Sequence, residues 1–122
     1  MFYIDDNANI QIIRGDTFSV KLFINQGTHI CPSRYILKDK DEVYVGVTEP
    51  NQTFENAIIR KKYTKADLDD KGDITITFES KDTVNLIPGK YYYQIKCNLY
   101  DEEKDKYDIN TIVDKHEFYI ED

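Results

Sequence analysis

The chain has few of the residues that build long helices and few of those that most often carry chemistry. Of its 122 residues only 9 are Ala, Leu or Met, none is Trp, and there are two His and two Cys. Long helices depend on Ala and Leu, so the first shortage argues against a helical fold. His29 and His116 stand far from each other and from any cluster at metal-ligand spacing. We therefore expect no catalytic residues, no metal site and no cofactor.

Other features that are missing restrict where the chain works and what it binds. No segment approaches the about 20 apolar residues of a membrane-spanning helix. Residues 1–6 lack the basic segment and apolar run of a secretion signal, so Cys31 and Cys97 are expected to be free thiols. The chain has 16 basic and 23 acidic residues, and the resulting net charge of −7 argues against nucleic-acid and membrane partners.

The residues that are abundant favour strands. Ile, Val, Thr, Phe and Tyr supply 47 residues, and such side chains suit a pleated, half-buried surface. Apolar and polar residues alternate in several segments, most clearly in residues 90–100. About eight short strands, with one short helical turn near 80–86 that Ser80 caps, predict a single domain over residues 1–122. The predicted fold is an all-β, two-sheet antiparallel sandwich of the Ig-like or jelly-roll-like kind.

One long segment, residues 26–42, does not alternate and is predicted to be a loop. It exceeds the usual connection between strands, and long ordered loops are often functional. We predict that Arg34, Tyr35 and Ile36 in this loop contact a partner protein. Tyr92, an outward tyrosine on the longest strand, is predicted to contact it as well, because exposed aromatics bury a large area at low entropic cost.

Three short motifs have structural interpretations. Residues 14–16, Arg-Gly-Asp, match a tripeptide bound by integrins but are better explained as a tight turn. Residues 67–73 resemble half a calcium loop, yet Lys71 takes a ligand position and Phe78 replaces the closing Glu, which argues against calcium. The basic cluster at 59–65 is split between two strand faces, which favours a protected edge strand or a patch for an acidic partner over nucleic acid.

The residues before the longest strand predict a tyrosine corner. Pro88 and Gly89 reverse the chain, and Tyr91 follows at the distance from which its hydroxyl can return to the backbone. We expect the acceptor within residues 83–86. This arrangement makes Pro88, Gly89 and Tyr91 structural residues of the corner.

The turn residues resemble those of one known class of proteins. The likeness lies in the Gly-Asp-Thr turn at 15–17, the Glu-Pro-Asn turn at 49–51 and the Leu-Ile-Pro-Gly-Lys-Tyr corner at 86–91. These resemble small β-sandwich (Ig-like) virion modules of tailed phages, notably the N-terminal domain of upper-baseplate proteins. The resemblance implies a virion protein made in the host cytoplasm, a baseplate or tail adaptor or a head decoration module. Its partners would be other virion proteins in a symmetric assembly.

Two other functions stay open at the level of sequence. Small size and acidic balance permit an intracellular inhibitor that mimics nucleic acid, although the charges alternate in sign rather than forming one negative stripe. Abundant tyrosine permits a carbohydrate-binding module, which the lack of Trp and of a secretion signal disfavours.

Overall fold

The computed structural model describes residues 2–4, 8–22, 24–27 and 32–122. Within these ranges the strands are β1 (Phe2–Ile4), β2 (Ile10–Ile13), β3 (Phe18–Leu22), β4 (Ile24–Gly27), β5 (Pro32–Tyr35), β6 (Glu42–Thr48), β7 (Ile59–Thr64), β8 (Ile74–Phe78), β9 (Gly89–Asp101) and β10 (Lys106–Glu121). One α-helical turn, α1 (Ser80–Thr83), and the 3-10 turns Phe54–Asn56 and Lys65–Asp67 lie between strands. The prediction of an all-β fold is confirmed.

The strands form a sandwich around β9. One sheet has the order β1-β2-β10-β9-β6-β7, and the pair β3-β8 forms the layer that packs against it. The neighbours β6-β9-β10 and β3-β8 correspond to the C-F-G and B-E neighbours of Ig-like sandwiches. One pair departs from the predicted antiparallel pattern, since β2 runs parallel to β10 from the pair Phe118↔Ile10 to the pair Glu121↔Ile13.

Aromatic side chains join the two layers. Phe18 of β3 and Phe78 of β8 stack with ring centroids 4.8 Å apart, and the Phe118 ring of β10 lies 5.3 Å from that of Phe78. All three are buried, together with Val43 and Val47 of β6. Replacing one such ring by alanine typically costs about 3–5 kcal/mol, so this cluster is a major source of stability.

The prediction of a loop over residues 26–42 is wrong in part. β4 pairs with β5 from Ile24↔Tyr35 to Gly27↔Pro32, so Arg34 and Tyr35 are strand residues. Gly and Pro indicate a loop in sequence, but proline is compatible with the first residue of a strand, which is where Pro32 stands.

Two further details differ from the sequence prediction. β10 is longer than the short strands that were predicted, because its 16 residues continue through register shifts between Thr111 and Val113 and between Val113 and His116. The N-cap of α1 is Glu79 rather than Ser80, and the Glu79 N–H donates to Asp82 Oδ2 at 2.8 Å.

No helix in the described part of the chain has the length and apolar character needed to cross a bilayer.

Candidate protein-contact surface

Arg34, Tyr35 and Ile36 hold the β4–β5 hairpin to the sandwich. The Arg34 guanidinium forms an ion pair with the Asp73 carboxylate, and the Tyr35 hydroxyl donates to Asp41. Burial, followed by that hydrogen bond, raises the pKa of Tyr35 far above its ordinary range. Ile36 is exposed and packs against Gly72, where an added Cβ would lie 2.5 Å from Ile36 Cδ1. Contact with a partner at these residues stays a prediction.

Asp41 is the buried centre of this region, and sequence reasoning missed it. Its side chain accepts hydrogen bonds from the Tyr35 hydroxyl, from Lys38 N at 2.8 Å and from Tyr100 N at 2.9 Å. The residue is 1% exposed. In the sequence Asp41 belongs to a run of charged residues, 38–42, which is typical of a solvated surface. This buried carboxylate therefore joins β5, the turn at residue 38 and the distant strand β9.

Several charged side chains of the groove next to Asp41 already contact one another or an aromatic ring. It has a volume of about 530 Å³ and lies between residues 36–41, Lys65, Tyr100 and Glu102. Lys65 Nζ lies 3.2 Å from Asp39 Oδ1, and Lys40 Nζ lies 4.3 Å from the centroid of the Tyr100 ring. These contacts favour a structural role for the groove.

A second groove lies on the outer face of the large sheet. It has a volume of about 410 Å³ and is lined by Tyr44, Val45, Gly46, Phe54, Glu55, Ala57, Arg60, Lys61 and Lys62. Strand alternation creates it, because Val43, Val45 and Val47 are buried and leave Tyr44 and Gly46 on the opposite face. We call this surface the Tyr44 groove.

Gly46 allows an aromatic ring to lie on the floor of the Tyr44 groove. The 3-10 turn Phe54–Asn56 returns the chain over β6, and a Cβ on Gly46 would lie only 2.8 Å from Phe54 Cε2. Any larger residue would therefore displace the ring. Lys96 Nζ lies 4.8 Å from the centroid of the Phe54 ring, within the range of a cation–π contact.

Cations flank the aromatic side chains of the Tyr44 groove. In the sheet, Tyr44 of β6 lies between Lys62 of β7 and Lys96 of β9. The Lys62 ammonium is 5.8 Å from the centroid of the Tyr44 ring and 2.8 Å from Glu42 Oε2. The hydrogen bond with Lys62 lowers the pKa of Glu42, and the same contact raises the pKa of Lys62. Each ring of the groove therefore has a lysine ammonium within about 6 Å of its centroid.

Arg60 completes the rim of the Tyr44 groove. Its Nε donates to the backbone oxygen of Ala57 at 3.1 Å, and its Nη2 donates to that of Glu55. Because both acceptors are neutral carbonyls, these two hydrogen bonds do not neutralise the charge of the guanidinium. Lys61 points to the other face, as the alternation predicts, and its ammonium lies 2.8 Å from Asp82 Oδ2 of α1.

Tyr92 extends the same outer face toward β10. It is half-buried, lies opposite Thr48 of β6 and Glu117 of β10, and has Lys115 Nζ 5.1 Å from its ring centroid. Of the predicted contact residues, it is the one that shares a face with the Tyr44 groove. Alternation predicted this orientation for Tyr92, but nothing local in the sequence indicated that Phe54 and Lys96 meet.

Pro88, Gly89 and Tyr91, the residues of the predicted tyrosine corner, lie at the start of β9. The Tyr91 hydroxyl donates to the backbone oxygen of Ile87 at 2.6 Å, one residue beyond the expected range of 83–86. Burial raises the pKa of Tyr91. Pro88 precedes Gly89, which adopts φ 153° at the start of β9. The contact spans one turn and fixes the entry of the chain into its central strand.

The short motifs adopt local structures. In residues 14–16 the Asp16 N–H donates to the Ile13 carbonyl at 3.0 Å, Gly15 has φ 85°, and Arg14 forms an ion pair with Asp122 at 2.6 Å. In residues 67–73 Asp69 Oδ1 accepts the N–H groups of residues 71 and 73. Among residues with a described position, no group of three or more His, Cys, Asp and Glu is arranged to hold a metal.

The structure describes one of the two cysteines that were predicted to be free thiols. Cys97 is buried and has a free thiol, and burial raises its pKa. Cys31 and His29 lie outside the described residues.

Comparison with known proteins returned no match among protein-family models, curated proteins or solved structures.

Proposed function

We propose that this chain is a non-enzymatic docking module that binds another protein through the Tyr44 groove. The observation that supports this role is the row Lys62–Tyr44–Lys96 across three paired strands, with the Phe54 ring beside it. Tyr, Phe and Arg are enriched at protein interfaces. Strand pairing fixes the backbone that carries these side chains, which removes the cost of ordering that backbone when a partner binds.

The charge of the groove indicates the chemistry of the partner. Three cations, Arg60, Lys62 and Lys96, lie at or beside the groove with two carboxylates, Glu42 and Glu55, although the whole chain has a net charge of −7. An acidic segment with an apolar or aromatic side chain fits this arrangement, since its carboxylates would lie near the cations and its apolar group over Tyr44 and Phe54. Such electrostatic complementarity increases the association rate and specificity.

We further propose that the partner belongs to a virion. The support is the resemblance of the turn residues at 15–17, 49–51 and 86–91 to virion modules of tailed phages, together with the sandwich fold that such modules share. In that setting the chain is a baseplate or tail adaptor or a head decoration module. Repetition on a symmetric particle converts contacts of moderate strength into stable attachment.

The test is incorporation into particles. The phage whose genome encodes the chain would be grown in cells that supply a tagged copy, and particles would be purified by density gradient and examined by immunoelectron microscopy. We expect the wild-type chain to band with particles and the double variant Tyr44→Ala with Arg60→Glu to stay in the soluble fraction. Tyr119→Ala changes an exposed tyrosine two strands from β6 and serves as the matched control.

Two results would overturn the proposal. A wild-type chain absent from every particle fraction would remove the virion setting. A double variant incorporated as well as the control would show that the Tyr44 groove is not the docking surface.

A further inference from the structure

β10 has one edge that no strand in the described ranges covers along most of its length. β9 pairs with one side of β10 from Lys106 to Ile120. On the other side β2 pairs only from Phe118 to Glu121, and the Glu117 N–H donates to Asn9 Oδ1 at 2.9 Å just before that. A strand edge of this kind presents N–H and C=O groups to any chain that can align with it.

The distal half of this edge also exposes apolar side chains. Ile109 is 72% exposed and Tyr107 is 43% exposed. Sheets commonly protect their edges with bulges and charges, and β10 has register shifts between Thr111 and His116, with Asp114 and Lys115 within them. Residues 106–111 pair with β9 in unbroken register, so no bulge protects them, and Lys106 and Asp108 are their only charged residues. We call residues 106–112 the open edge.

We propose that two copies of this chain pair antiparallel through their open edges, with Ile109 on the two-fold axis. In that register the facing residues are Ile109–Ile109, Tyr107–Thr111, Asp108–Asn110 and Lys106–Ile112. No like charges face each other, and the Asn110 amide can donate to the Asp108 carboxylate. The two large sheets then become one continuous sheet, and the contact is self-complementary, as two-fold symmetry requires.

Neighbouring registers fit less well. Moving the axis to Asp108 places two aspartates opposite each other, which is destabilising. Moving it to Asn110 extends the pairing to residues 113 and 114, where the register shifts interrupt the strand. With the axis at Ile109, only the outermost pair, Lys106–Ile112, reaches the first register shift, which follows Thr111.

The charge of the segment explains why a second copy fits it. Lys106 and Asp108 have opposite charges, so the open edge is locally neutral in a chain of net charge −7. The two Asp108 residues are then diagonal neighbours, about 7–8 Å apart, and the remaining repulsion comes from charges outside the open edge. Salt screens both contributions. We expect association to strengthen with ionic strength. β9 separates the open edge from β6 and β7, which form the Tyr44 groove, so dimerisation and docking at the groove can be lost separately.

Sedimentation equilibrium over a range of concentrations tests the dimer. We expect the wild-type mass to rise from 14.4 kDa toward twice that value, while Ile109→Lys stays monomeric at the same concentrations. Ile87→Lys is the matched control, because Ile87 is 80% exposed and lies outside the open edge. Far-ultraviolet circular dichroism verifies that both variants keep the fold.

Amide hydrogen exchange measured by NMR locates the contact without any substitution. Protection of residues 106–112 should increase with protein concentration, and protection elsewhere should not. A wild-type chain that stays monomeric up to millimolar concentration would overturn the proposal, even if the edge binds a strand of another protein. So would an Ile109→Lys variant that dimerises like Ile87→Lys, or a dimer that protects a different segment.

Discussion

The buried carboxylate of Asp41 offers the sharpest test of how the β4–β5 hairpin is held. It accepts hydrogen bonds from a side chain of β5, from the turn at residue 38 and from the backbone of β9. Asp41→Ala leaves these three donors without their acceptor. An unsatisfied buried polar group costs roughly 1–3 kcal/mol, and some water can enter beside the exposed Lys38, so we expect a loss of about 4 kcal/mol.

That loss is large enough to measure in two ways. In urea, monitored by circular dichroism, the unfolding midpoint should fall while the slope stays unchanged. For a chain of 122 residues 1 kcal/mol corresponds to about 4 °C, so the melting temperature should fall by about 15 °C. Asp41→Asn keeps one acceptor oxygen and the shape of the side chain, and should cost about half as much.

The neighbouring Asp39 provides the control for Asp41. Its side chain is 89% exposed and forms an ion pair with Lys65, so Asp39→Ala should cost less than about 0.5 kcal/mol. Tyr35→Phe should cost about 1 kcal/mol alone and less in the Asp41→Ala background, because the hydrogen bond is already absent there. Equal stabilities for Asp39→Ala and Asp41→Ala would refute the reasoning.

Three further predictions concern pH and a buried hydroxyl. The folded-state pKa of Tyr35 lies above its unfolded value of 10.0, so its contribution to stability is full below pH 10 and is lost as the pH rises above it. Urea titrations between pH 9 and pH 11 should show that Tyr35→Phe weakens this decline. The pKa of Glu42 is lowered by Lys62, so its contribution is present above the ordinary value of 4.5 and is lost as the pH falls below it. Glu42→Gln should flatten the acid side of the same profile. The Thr48 hydroxyl is buried with no hydrogen-bond partner among the described residues, so Thr48→Val should raise the free energy of unfolding by about 1 kcal/mol in thermal melts.

Each of these predictions has an outcome that contradicts it. An alkaline decline of equal steepness in wild type and Tyr35→Phe would assign the effect to other groups. An unchanged acid profile in Glu42→Gln would mean that Lys62 does not favour the ionised carboxylate in solution. Destabilisation by Thr48→Val, with Thr48→Ala measured beside it, would indicate that the hydroxyl has a partner.

Local sequence accounts for several elements of the fold and of the candidate surface. Alternation placed Tyr92 on the outer face and separated Lys61 from the rest of the basic cluster, because a strand turns successive side chains to opposite sides. Composition predicted the all-β class. The partner, the virion setting and the lack of enzymatic activity remain predictions.

Pairing between distant strands determined the features of the surface that local sequence did not indicate. Apart from β5, which the sequence predicted as loop, local residues indicated most of the strands and which way their side chains point, since both depend on backbone geometry over a few residues. Only the tertiary structure brought Phe54 onto Gly46 beside Lys96 and buried Asp41 within a run of charges. It also paired β2 with the last four residues of β10, so that no strand among the described residues covers the outer edge at 106–112. Those outcomes depend on which strand lies next to which, and that choice is made by the packing of the whole core rather than by any single segment.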